Sequence, residues 1–278
     1  MEQNSVQMSH LSVAIVVYNS SLEWLGRTLD SLYRSCEPLL GQAVDKLSVL
    51  LVNNGSDRSY GMELEALVRA KAWPGLTLVQ LESNGGFGSG QNQALAAGVG
   101  DYHLVLNPDV ELAPDALGRA LAIMEADTGI ALLSPGAVGT DGHQEFLCKR
   151  YPSVAVLALR AFAPGFGRRC FPAMMRRYDM SDVCALGEPV DIPLASGCFM
   201  FIRGQNFAEV RGFNEDFFLY FEDFDLSLRL AKLGRLSFEP SVKIVHHGGY
   251  AASKGWRHLR MFVRSGWQFF NRHGWRWI

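Results

Sequence analysis

In the first half of this chain, short apolar runs alternate with longer amphipathic stretches, and this alternation narrows the possible folds to a few. The apolar runs are rich in β-branched residues and predict strands over residues 11–18, 46–52, 76–81, 102–106 and 130–133. The stretches between them predict helices over residues 22–36 and 62–71, from the glycine-rich segment to about residue 97, and over residues 114–126. Strands separated by helices pair in parallel and bury both faces. We therefore expect an α/β fold with a mostly parallel central sheet flanked by helices.

Polar, flexible residues stand where these predicted strands end. In chain order they are Asn19, then Asn53 and Asn54, then Asn84, then Asn107 and Asp109 around Pro108. In parallel α/β sheets, ligands bind outside the carboxyl ends of the strands. The topology alone therefore predicts that these residues converge on one cleft.

Beyond residue 133 the pattern changes. We expect short strands over residues 134–150 and an irregular, basic and apolar stretch over residues 151–178. A strand over residues 196–203, strands over 235–238 and 242–245, and an amphipathic helix around 256–271 follow. This half is expected to form a smaller C-terminal lobe beside the sheet.

The charge of the chain is unevenly distributed. The net charge is only -2, yet residues 146–178 contain no Asp or Glu, and no acidic residue follows Glu239. Both segments hold several Lys and Arg, and the second also holds four of the six tryptophans. Basic, aromatic segments suit an anionic membrane surface, although the last helix could equally be a packed helix that covers the sheet. Because the basic segments flank an acidic cleft, a nucleic-acid partner is not expected.

Cysteine usage and hydropathy set the expected compartment. The five cysteines form no CxxC pair, which indicates reduced thiols and argues against a zinc site. We find no signal-peptide pattern and no apolar run of membrane-spanning length. The sequence thus predicts a cytoplasmic protein whose membrane contact, if any, is peripheral, at the inner face of the plasma membrane.

The most chemically suggestive stretch is residues 217–229, where three carboxylates follow an aromatic run. If a helix begins near Phe221, Glu222, Asp225 and Arg229 fall on one side, and Asp225 can pair with Arg229. Asp223 then lies at the margin of an apolar face. That face carries Leu226, Leu230 and Leu233. An apolar margin raises a carboxyl pKa, which suits a general base. The alternative is that all three carboxylates only favour the helix N-terminus electrostatically.

Other signals are weak when taken singly. The glycine-rich segment 84–90 matches neither GxGxxG nor a P-loop, so it is either a loop with free amides for a diphosphate or a structural turn. Asp109 either binds Mg²⁺ or Mn²⁺ beside a diphosphate, or stabilises an Asx-Pro turn. His246 and His247 face opposite ways on a strand, so at most one can complete a metal shell, and a lone strand-end histidine is usually structural.

Taken together and in order, these segments resemble family 2 glycosyltransferases of the GT-A (Rossmann-like) fold. The resemblance rests on residues 13–19, 53–57, 84–92, 106–109, 212–229 and His246, and it extends to about residue 253. The Leu-Asn-Pro-Asp phrase at 106–109 and the aromatic-acidic phrase at 217–226 look like the rhamnosyltransferase branch.

The resemblance implies a role for each matching residue. Asp109 matches the last aspartate of the DxD metal motif, whose first aspartate is Asn107 here, and His246 matches the histidine that helps to hold the metal. Asp223 matches the catalytic base. The expected nucleotide-sugar contacts are Tyr18, Asn19, Asn53, Asn54, Asp57, Asn84, Gly85, Gly86, Phe87, Asn92, Asn107 and Asp109. The expected acceptor-side residues are Glu222, Asp225 and Arg229. Asn53 replaces the usual aspartate of the base-contacting turn.

The resemblance also implies an activity and a domain plan. Residues 1–253 would form the GT-A domain, with a nucleotide-sugar half over 1–133 and an acceptor and catalytic-base half over 134–253, followed by a basic amphipathic helix over 254–278. The implied reaction is inverting and depends on Mg²⁺ or Mn²⁺. It moves L-rhamnose from dTDP-L-rhamnose to a bacterial polysaccharide or lipid-linked glycan. The alternatives are a UDP- or GDP-sugar donor, a non-catalytic nucleotide-sugar-binding protein, and a nucleotidyltransferase that releases pyrophosphate.

Overall fold

A mixed central sheet organises the computed structural model, which describes residues 8–248 and 255–278. The strands are β1 (Ser9–Val17), β2 (Val44–Asn54), β3 (Leu76–Leu81), β4 (Tyr102–Leu106), β5 (Val110–Leu112), β6 (Ile130–Gly139), β7 (Gln144–Glu145), β8 (Cys148–Lys149), β9 (Val190–Asp191), β10 (Leu194–Ala195), β11 (Phe199–Arg203) and β12 (Arg235–His246). The helices are α1 (Leu22–Cys36), α2 (Arg58–Lys71), α3 (Phe87–Ala97), α4 (Ala116–Ala126), α5 (Val154–Phe162), α6 (Pro164–Cys170), α7 (Pro172–Tyr178), α8 (Ser181–Cys184), α9 (Gly204–Glu209), α10 (Glu222–Leu230) and α11 (Gly255–His273).

The sheet order is β3-β2-β1-β4-β11-β6-β12-β5, and its first four strands are parallel. Val13 of β1 lies opposite Val49 of β2 and Leu104 of β4, and all three side chains are buried. Helices cover both faces of these strands, so apolar β-branched runs without polar alternation are what such strands require. The predicted α/β fold with a mostly parallel sheet is confirmed.

Antiparallel strands complete the second half of the sheet. β11 enters between β4 and β6 and is antiparallel to both, and β5 is antiparallel to β12. β12 is continuous where the sequence predicts two strands, with an irregular register between Glu239 and Lys243. These insertions bring the loop before β11 and the end of β12 to the edge where β4 ends. That edge is where the predicted cleft lies.

The stretch 151–178, predicted to be irregular, instead contains three short helices. Ser153 caps α5 by accepting a hydrogen bond from Val156 N–H, and Pro164 and Pro172 stand in the first turns of α6 and α7. Proline suits that position because the first helical N–H has no partner within the helix. The prolines that suggest broken structure in the sequence therefore mark helix starts.

Two further boundaries differ from those predicted. α2 begins at Arg58 rather than at Met62 because Asp57 caps it. α10 begins at Glu222, as predicted from Phe221, but it ends at Leu230. Leu233 therefore lies beyond the helix with 37% of its surface exposed, and it does not belong to the apolar face.

The C-terminal helix α11 packs against the segment that precedes α10. Its Phe269 and Phe270 join a buried aromatic cluster with Phe217 and Phe221. None of the helices within residues 8–248 and 255–278 is both long and apolar enough to cross a membrane. The domain boundary predicted at residues 253 and 254 lies outside the described ranges.

Candidate active site

Asn54 and Asn84 hold the glycine-rich loop at the ends of β2 and β3. The buried Asn54 amide donates to Gly86 O (2.8 Å) and Asn84 Oδ1 (3.1 Å), and Asn54 Oδ1 accepts from Gly85 N–H (3.2 Å). Asn84 Oδ1 also accepts from Gly86 N–H at 2.9 Å. The two strand ends do converge, but these amide groups are used within the protein to position the loop.

Asn53 and Asp57 differ sharply in their exposure. Asn53 is buried, and its amide donates to Gln80 Oε1 at 2.9 Å. Asp57 is fully exposed and accepts from Ser59 Oγ–H (2.7 Å) and from Tyr60 N–H (2.9 Å). These two hydrogen bonds lower the pKa of the Asp57 carboxyl. Asp57 is therefore the residue of this turn that offers a charge to solvent.

Tyr18 and Asn19 lie at the end of β1 on the same edge of the sheet. Tyr18 has 53% of its surface exposed. Asn19 adopts a left-handed φ of +49°, and its N–H donates to Ser56 Oγ at 3.0 Å. The β1 turn is thus tied to the β2 turn while the Tyr18 ring remains accessible.

Gly86 and Phe87 bring the glycine-rich loop against the aromatic run that precedes α10. Phe87 N–H donates to Phe218 O at 3.1 Å. Gly86 has a φ of +94°, and a Cβ at this position would lie only 2.3 Å from the same carbonyl oxygen. Only glycine fits such a close approach at positive φ. The loop expected to contact the nucleotide is therefore in direct contact with the segment expected to carry the catalytic base, Asp223.

Asn92 braces α3 against the loop that leads to the aromatic run. Its amide donates to Phe213 O (2.9 Å) and Glu215 Oε1 (2.8 Å), and its Oδ1 accepts from Phe213 N–H (2.8 Å). These internal bonds occupy the polar groups that the resemblance assigns to the nucleotide. They hold α3 against residues 213–215, and the nucleotide contact expected of Asn92 stays a prediction.

Asp109 and His246 meet just after β4, because β12 pairs with β5 and sets His246 opposite Val110. Asp109 Oδ1 lies 3.7 Å from His246 Nε2. This oxygen is buried and has no hydrogen-bond partner among the described residues. His246 Nδ1 donates to Glu145 Oε2 at 2.8 Å, which leaves Nε2 directed at Asp109.

This arrangement fits a divalent ion that is held jointly with a diphosphate. An orphaned carboxylate oxygen lies beside an imidazole nitrogen whose ring is fixed by a second carboxylate, as is usual around metal ligands. Mg²⁺ and Mn²⁺ complete their shells with water and phosphate oxygens. Within residues 8–248 and 255–278, no cluster of three or more His, Cys, Asp or Glu side chains is arranged to hold a metal without such help.

The neighbouring polar residues, His247 and Asn107, contact residues other than the Asp109 carboxylate. His247 stacks on Trp24 with ring centroids 4.0 Å apart, and its Nε2 lies 2.8 Å from Glu111 Oε1. The two histidines do point in opposite directions, and His246 is the one beside Asp109. Asn107 is half-buried, and its N–H donates to Cys198 O at 2.9 Å.

A strained turn presents Asp223 to the loop before β11. Tyr220 and Phe221 both adopt left-handed backbone, with φ values of +70° and +66°. Such conformations cost on the order of 1–3 kcal/mol each in non-glycine residues and cluster at functional sites. Asp223 Oδ2 then accepts from Gly197 N–H (3.0 Å), and Oδ1 accepts from Phe224 N–H (2.9 Å). The carboxylate is held in one orientation and remains half-buried.

Burial dominates the electrostatics of the two adjacent carboxyls. It raises the pKa of Asp223, against the lowering by the Gly197 and Phe224 N–H groups and by the charge of Lys149. Burial and the negative charge of Asp223 raise the pKa of Glu222 further, and Glu222 Oε2 has no hydrogen-bond partner in the described part of the chain. The predicted upward shift of the Asp223 pKa is confirmed.

Asp225 is fully buried and ties α10 to α11. It accepts from Arg229 Nε (2.7 Å) and pairs with His273 Nε2 (2.8 Å), which confirms the predicted Asp225–Arg229 contact. Arg229 also donates to Val210 O and Gly212 O, each at 2.7 Å. These bonds occupy both oxygens of the Asp225 carboxylate and hold residues 217–229 in place, while the acceptor-side assignment of Asp225 and Arg229 stays a prediction.

Sequence reasoning missed three residues at this site. Glu145 orients His246, Gly197 donates to Asp223, and Lys149 lies close enough for its charge to act on Asp223. Lys149 donates to Phe146 O and Cys148 O, and burial lowers its pKa to about 8. All three residues are distant in sequence from the side chain, His246 or Asp223, on which they act. Only the basic character of residues 146–178 hinted at Lys149.

A cavity of about 440 Å³ lies beside the segment 217–229. Tyr178 lines it, and burial raises the pKa of this phenol, with a further contribution from the negative charge of Asp223. The cavity has an apolar interior, and three arginines contribute to its wall, Arg150, Arg177 and Arg276. It can therefore receive an amphipathic anion near Asp223.

Sequence comparison finds related proteins over most of the chain. The profile of glycosyl transferase family 2 matches residues 12–203. The N-acetylglucosaminyl-diphospho-decaprenol L-rhamnosyltransferase of Mycobacterium tuberculosis is 29% identical, over 75% of this chain and 69% of that protein. Rhamnosyltransferase WbbL of Escherichia coli is 27% identical, over 59% of this chain and 62% of that protein. Asp223 and His246 lie beyond the region that the family profile matches.

Solved structures share the fold at low sequence identity. Mannosyltransferase PcManGT from Pyrobaculum calidifontis, in complex with GDP-Man and Mn²⁺, superposes with a TM-score of 0.63 at 19% identity, and the match covers 96% of this chain and 65% of that one. GalNAc-T7 with UDP, GalNAc and Mn²⁺ gives a TM-score of 0.64 at 18% identity, over 93% of this chain and 48% of that one. The likeness shows the α/β architecture of GT-A glycosyltransferases.

Proposed function

The chain belongs to glycosyl transferase family 2, and we propose that it transfers a sugar from a nucleoside diphosphate to an acceptor hydroxyl with inversion. Asp223 is the general base in this proposal. It removes the proton of the acceptor hydroxyl as that oxygen attacks the anomeric carbon. The C–O bond to the nucleoside diphosphate breaks on the opposite face of the sugar, which inverts the configuration.

The geometry around Asp223 carries this proposal. Its two oxygens are fixed by the N–H groups of Gly197 and Phe224, and the left-handed turn at Tyr220 and Phe221 directs the carboxylate toward the loop before β11. Its raised pKa makes it a stronger base than an ordinary aspartate. General-base assistance of this kind contributes roughly 10²–10⁴-fold to the rate.

Asp109 and His246 supply the expected contact with the diphosphate. A bound Mg²⁺ or Mn²⁺ would neutralise the negative charge that develops on the leaving group. The orphaned Asp109 Oδ1 and the His246 Nε2 are the protein atoms that would hold it, and Glu145 keeps the imidazole in the required tautomer. The two solved structural neighbours that were determined with Mn²⁺ support a divalent ion in this chain.

We infer that the donor is dTDP-L-rhamnose. Two curated relatives from different bacteria are rhamnosyltransferases, and the 106–109 and 217–226 phrases resemble that branch. A UDP- or GDP-sugar donor remains the alternative.

The acceptor is proposed to be a lipid-linked glycan. The mycobacterial relative is named for a diphospho-decaprenol acceptor. In this chain, the cavity lined by Tyr178 combines an apolar interior with arginines, which is the chemistry that a lipid-linked diphosphate requires. A polysaccharide without a lipid would use the sugar-facing side of the cleft but not this cavity.

Thermal stabilisation by dTDP, UDP and GDP, each with and without Mn²⁺ or Mg²⁺, tests the proposed donor. We expect dTDP with metal to raise the melting temperature most, since a ligand at a hundred times its Kd stabilises by about 2.7 kcal/mol. Asp109→Asn should remove the metal-dependent part. A preference for UDP or GDP would replace the sugar, and no response to any nucleotide would contradict the proposal.

The other functional classes give different products. A nucleotidyltransferase would release pyrophosphate from a nucleoside triphosphate, whereas the proposed reaction releases dTDP from dTDP-L-rhamnose. A non-catalytic binding protein would bind the donor but release nothing, even with acceptor present. Measured dTDP release that depends on acceptor separates all three.

A further inference from the structure

Helix α11 presents two opposite faces with different surroundings. One face packs inward through Ser265, Gly266 and Phe269, which are buried. The other exposes 78% of Trp256 and 60% of Trp267. These residues are eleven apart, close to three full turns, so both rings project on the same side. A surface helix ordinarily turns charged residues outward, so large aromatic residues on this face are unexpected.

Helix α5 extends this apolar outer face. Phe162, at the end of α5, is 67% exposed and lines one groove of about 480 Å³ together with Trp256, Val263 and Trp267 of α11. The basic stretch before residue 178 and the C-terminal helix therefore form one continuous surface. We call the outer sides of α5–α7 and α11 the basic apolar face.

Arginines surround this groove without acidic partners among the described residues. Arg260 and Arg264 contribute to its walls. The exposed arginines of the basic apolar face that form no ion pair with any described residue are Arg160, Arg168, Arg169, Arg176, Arg177, Arg257, Arg260 and Arg264. No acidic residue occurs over 146–178 or after 239. The face therefore carries a high density of uncompensated positive charge.

The tail of the chain joins the two parts of the face rigidly. Val154 N–H donates to Arg276 O (2.8 Å), and Ala155 N–H donates to Trp277 O (3.1 Å). The first N–H groups of a helix have no partner within the helix, and these two bonds satisfy them at the start of α5. Trp275 also stacks on Phe270 with ring centroids 5.2 Å apart. The face is therefore preformed.

We propose that the basic apolar face docks on the surface of an anionic lipid bilayer. Tryptophan and phenylalanine side chains enter the boundary between headgroups and acyl chains, while arginines bind the anionic headgroups. A second copy of the chain in a two-fold dimer would set the same arginines against one another, which opposes association. A nucleic acid would satisfy the arginines but leave the apolar groove unfilled.

Docking would place the bilayer close to the catalytic segment. On the inner side of α11, Ser265 Oγ donates to Leu219 O at 2.8 Å, and Gly266 lies against the Phe221 ring. A helix with its side chains is roughly 10 Å across. The membrane surface would then be about one helix diameter from the turn that carries Asp223.

Co-sedimentation of the full chain with phosphatidylcholine vesicles, with and without phosphatidylglycerol, tests this proposal. We expect binding only when phosphatidylglycerol is present. The Arg260→Glu/Arg264→Glu variant should bind at least about tenfold more weakly, because each basic residue near an anionic surface contributes roughly 1 kcal/mol. The matched control is Arg58→Glu/Arg69→Glu on α2, which changes net charge equally at exposed positions and should bind like the wild type.

A second variant separates apolar insertion from charge alone. Trp256→Ser/Trp267→Ser should also weaken binding, and the circular dichroism spectrum and melting temperature of each variant should match the wild type. Wild-type protein that ignores phosphatidylglycerol, or that loses binding equally in the α2 control, would overturn the proposal. Self-association abolished by the tryptophan variant, or binding to RNA but not to vesicles, would overturn it in favour of those partners.

Discussion

The donor-side amides and the acidic segment at α10 look alike in the sequence, since both are polar residues predicted at the cleft, but they behave differently in the structure. Asn54 and Asn92 direct their side chains into hydrogen bonds with the protein's own backbone. Asp223 is held by two N–H groups and stays half-buried with a raised pKa. Polarity at a strand or helix end therefore does not distinguish a residue that shapes a site from one that performs chemistry.

The acidic segment itself contains the same division. Asp225, two residues from Asp223, is fully buried against Arg229 and His273. Helical geometry puts the two aspartates on different sides of α10. The carboxylate of Asp225 is paired with charged side chains and holds α10 in place, whereas that of Asp223 is held by backbone N–H groups and has a raised pKa that suits a base.

The largest stability loss is expected from Asp225→Ala. It leaves Arg229 and His273 without their shared carboxylate, and breaking a buried ion pair costs about 3–5 kcal/mol. Urea denaturation should show this loss. Asp216→Ala is the matched control, because Asp216 is exposed and pairs with Arg272 at 3.1 Å, and it should cost under about 1 kcal/mol. Equal effects of the two variants would contradict the scaffolding role of Asp225.

A smaller loss is expected from Asn54→Ala. The variant leaves the Gly86 carbonyl and the Gly85 N–H without their side-chain partner, at a cost of about 1–3 kcal/mol. Donor affinity should also fall, because the loop loses its anchor, and isothermal titration with dTDP measures this. Asn271→Ala, at an exposed position, serves as the control. Normal stability with lost affinity would instead make Asn54 a direct ligand contact.

The pH dependence of transfer should reveal the raised Asp223 pKa. Only the deprotonated carboxylate can act as base, so activity should rise with pH through the folded pKa and then level off. Because burial raises that pKa, the rise should lie above the ordinary aspartate value of about 3.9. Titratable groups near it include Glu222, Lys149, Tyr178 and Cys198. A rise at the ordinary value would contradict the electrostatic account.

The smallest effect is expected from Glu222→Gln, and it is a gain in stability rather than a loss. The folded pKa of Glu222 lies above its unfolded value, so this carboxyl contributes stability at low pH that is lost as pH rises through the folded pKa. The neutral amide of the variant does not titrate, so it does not lose this stability as the pH rises. Above the folded pKa, the variant should melt a few degrees higher than the wild type, and at low pH the difference should disappear. A lower melting temperature at every pH would contradict this prediction.

Local patterns made much of the fold and part of the site predictable. β-branched runs identify buried strands because both faces of the sheet are covered. The i,i+4 spacing predicts the Asp225–Arg229 pair because residues four apart in a helix are neighbours on its surface. Leu233 was misplaced because nothing in the spacing shows that α10 ends at Leu230. The helices over residues 154–178 were missed because proline looks like a helix breaker, whereas Pro164 and Pro172 are in fact the first residues of α6 and α7.

Contacts between distant residues could not be predicted in this way. Asn92 reaches Phe213 across 121 residues, and His246 reaches Glu145 across 101. Those distances depend on the order of strands in the sheet, in particular on the antiparallel insertion of β11 and the pairing of β12 with β5. The resemblance supplied the role of Asp223, but only the assembled sheet supplies its Gly197 partner.

The central claim is that Asp223 performs the chemistry while its neighbours hold it in position. It is tested most directly by sugar transfer and donor binding measured on the same preparation of Asp223→Asn. The account predicts that thermal stabilisation by dTDP with Mn²⁺ is unchanged while turnover falls roughly 10²–10⁴-fold. Full retained turnover, or loss of donor binding together with activity, would contradict it.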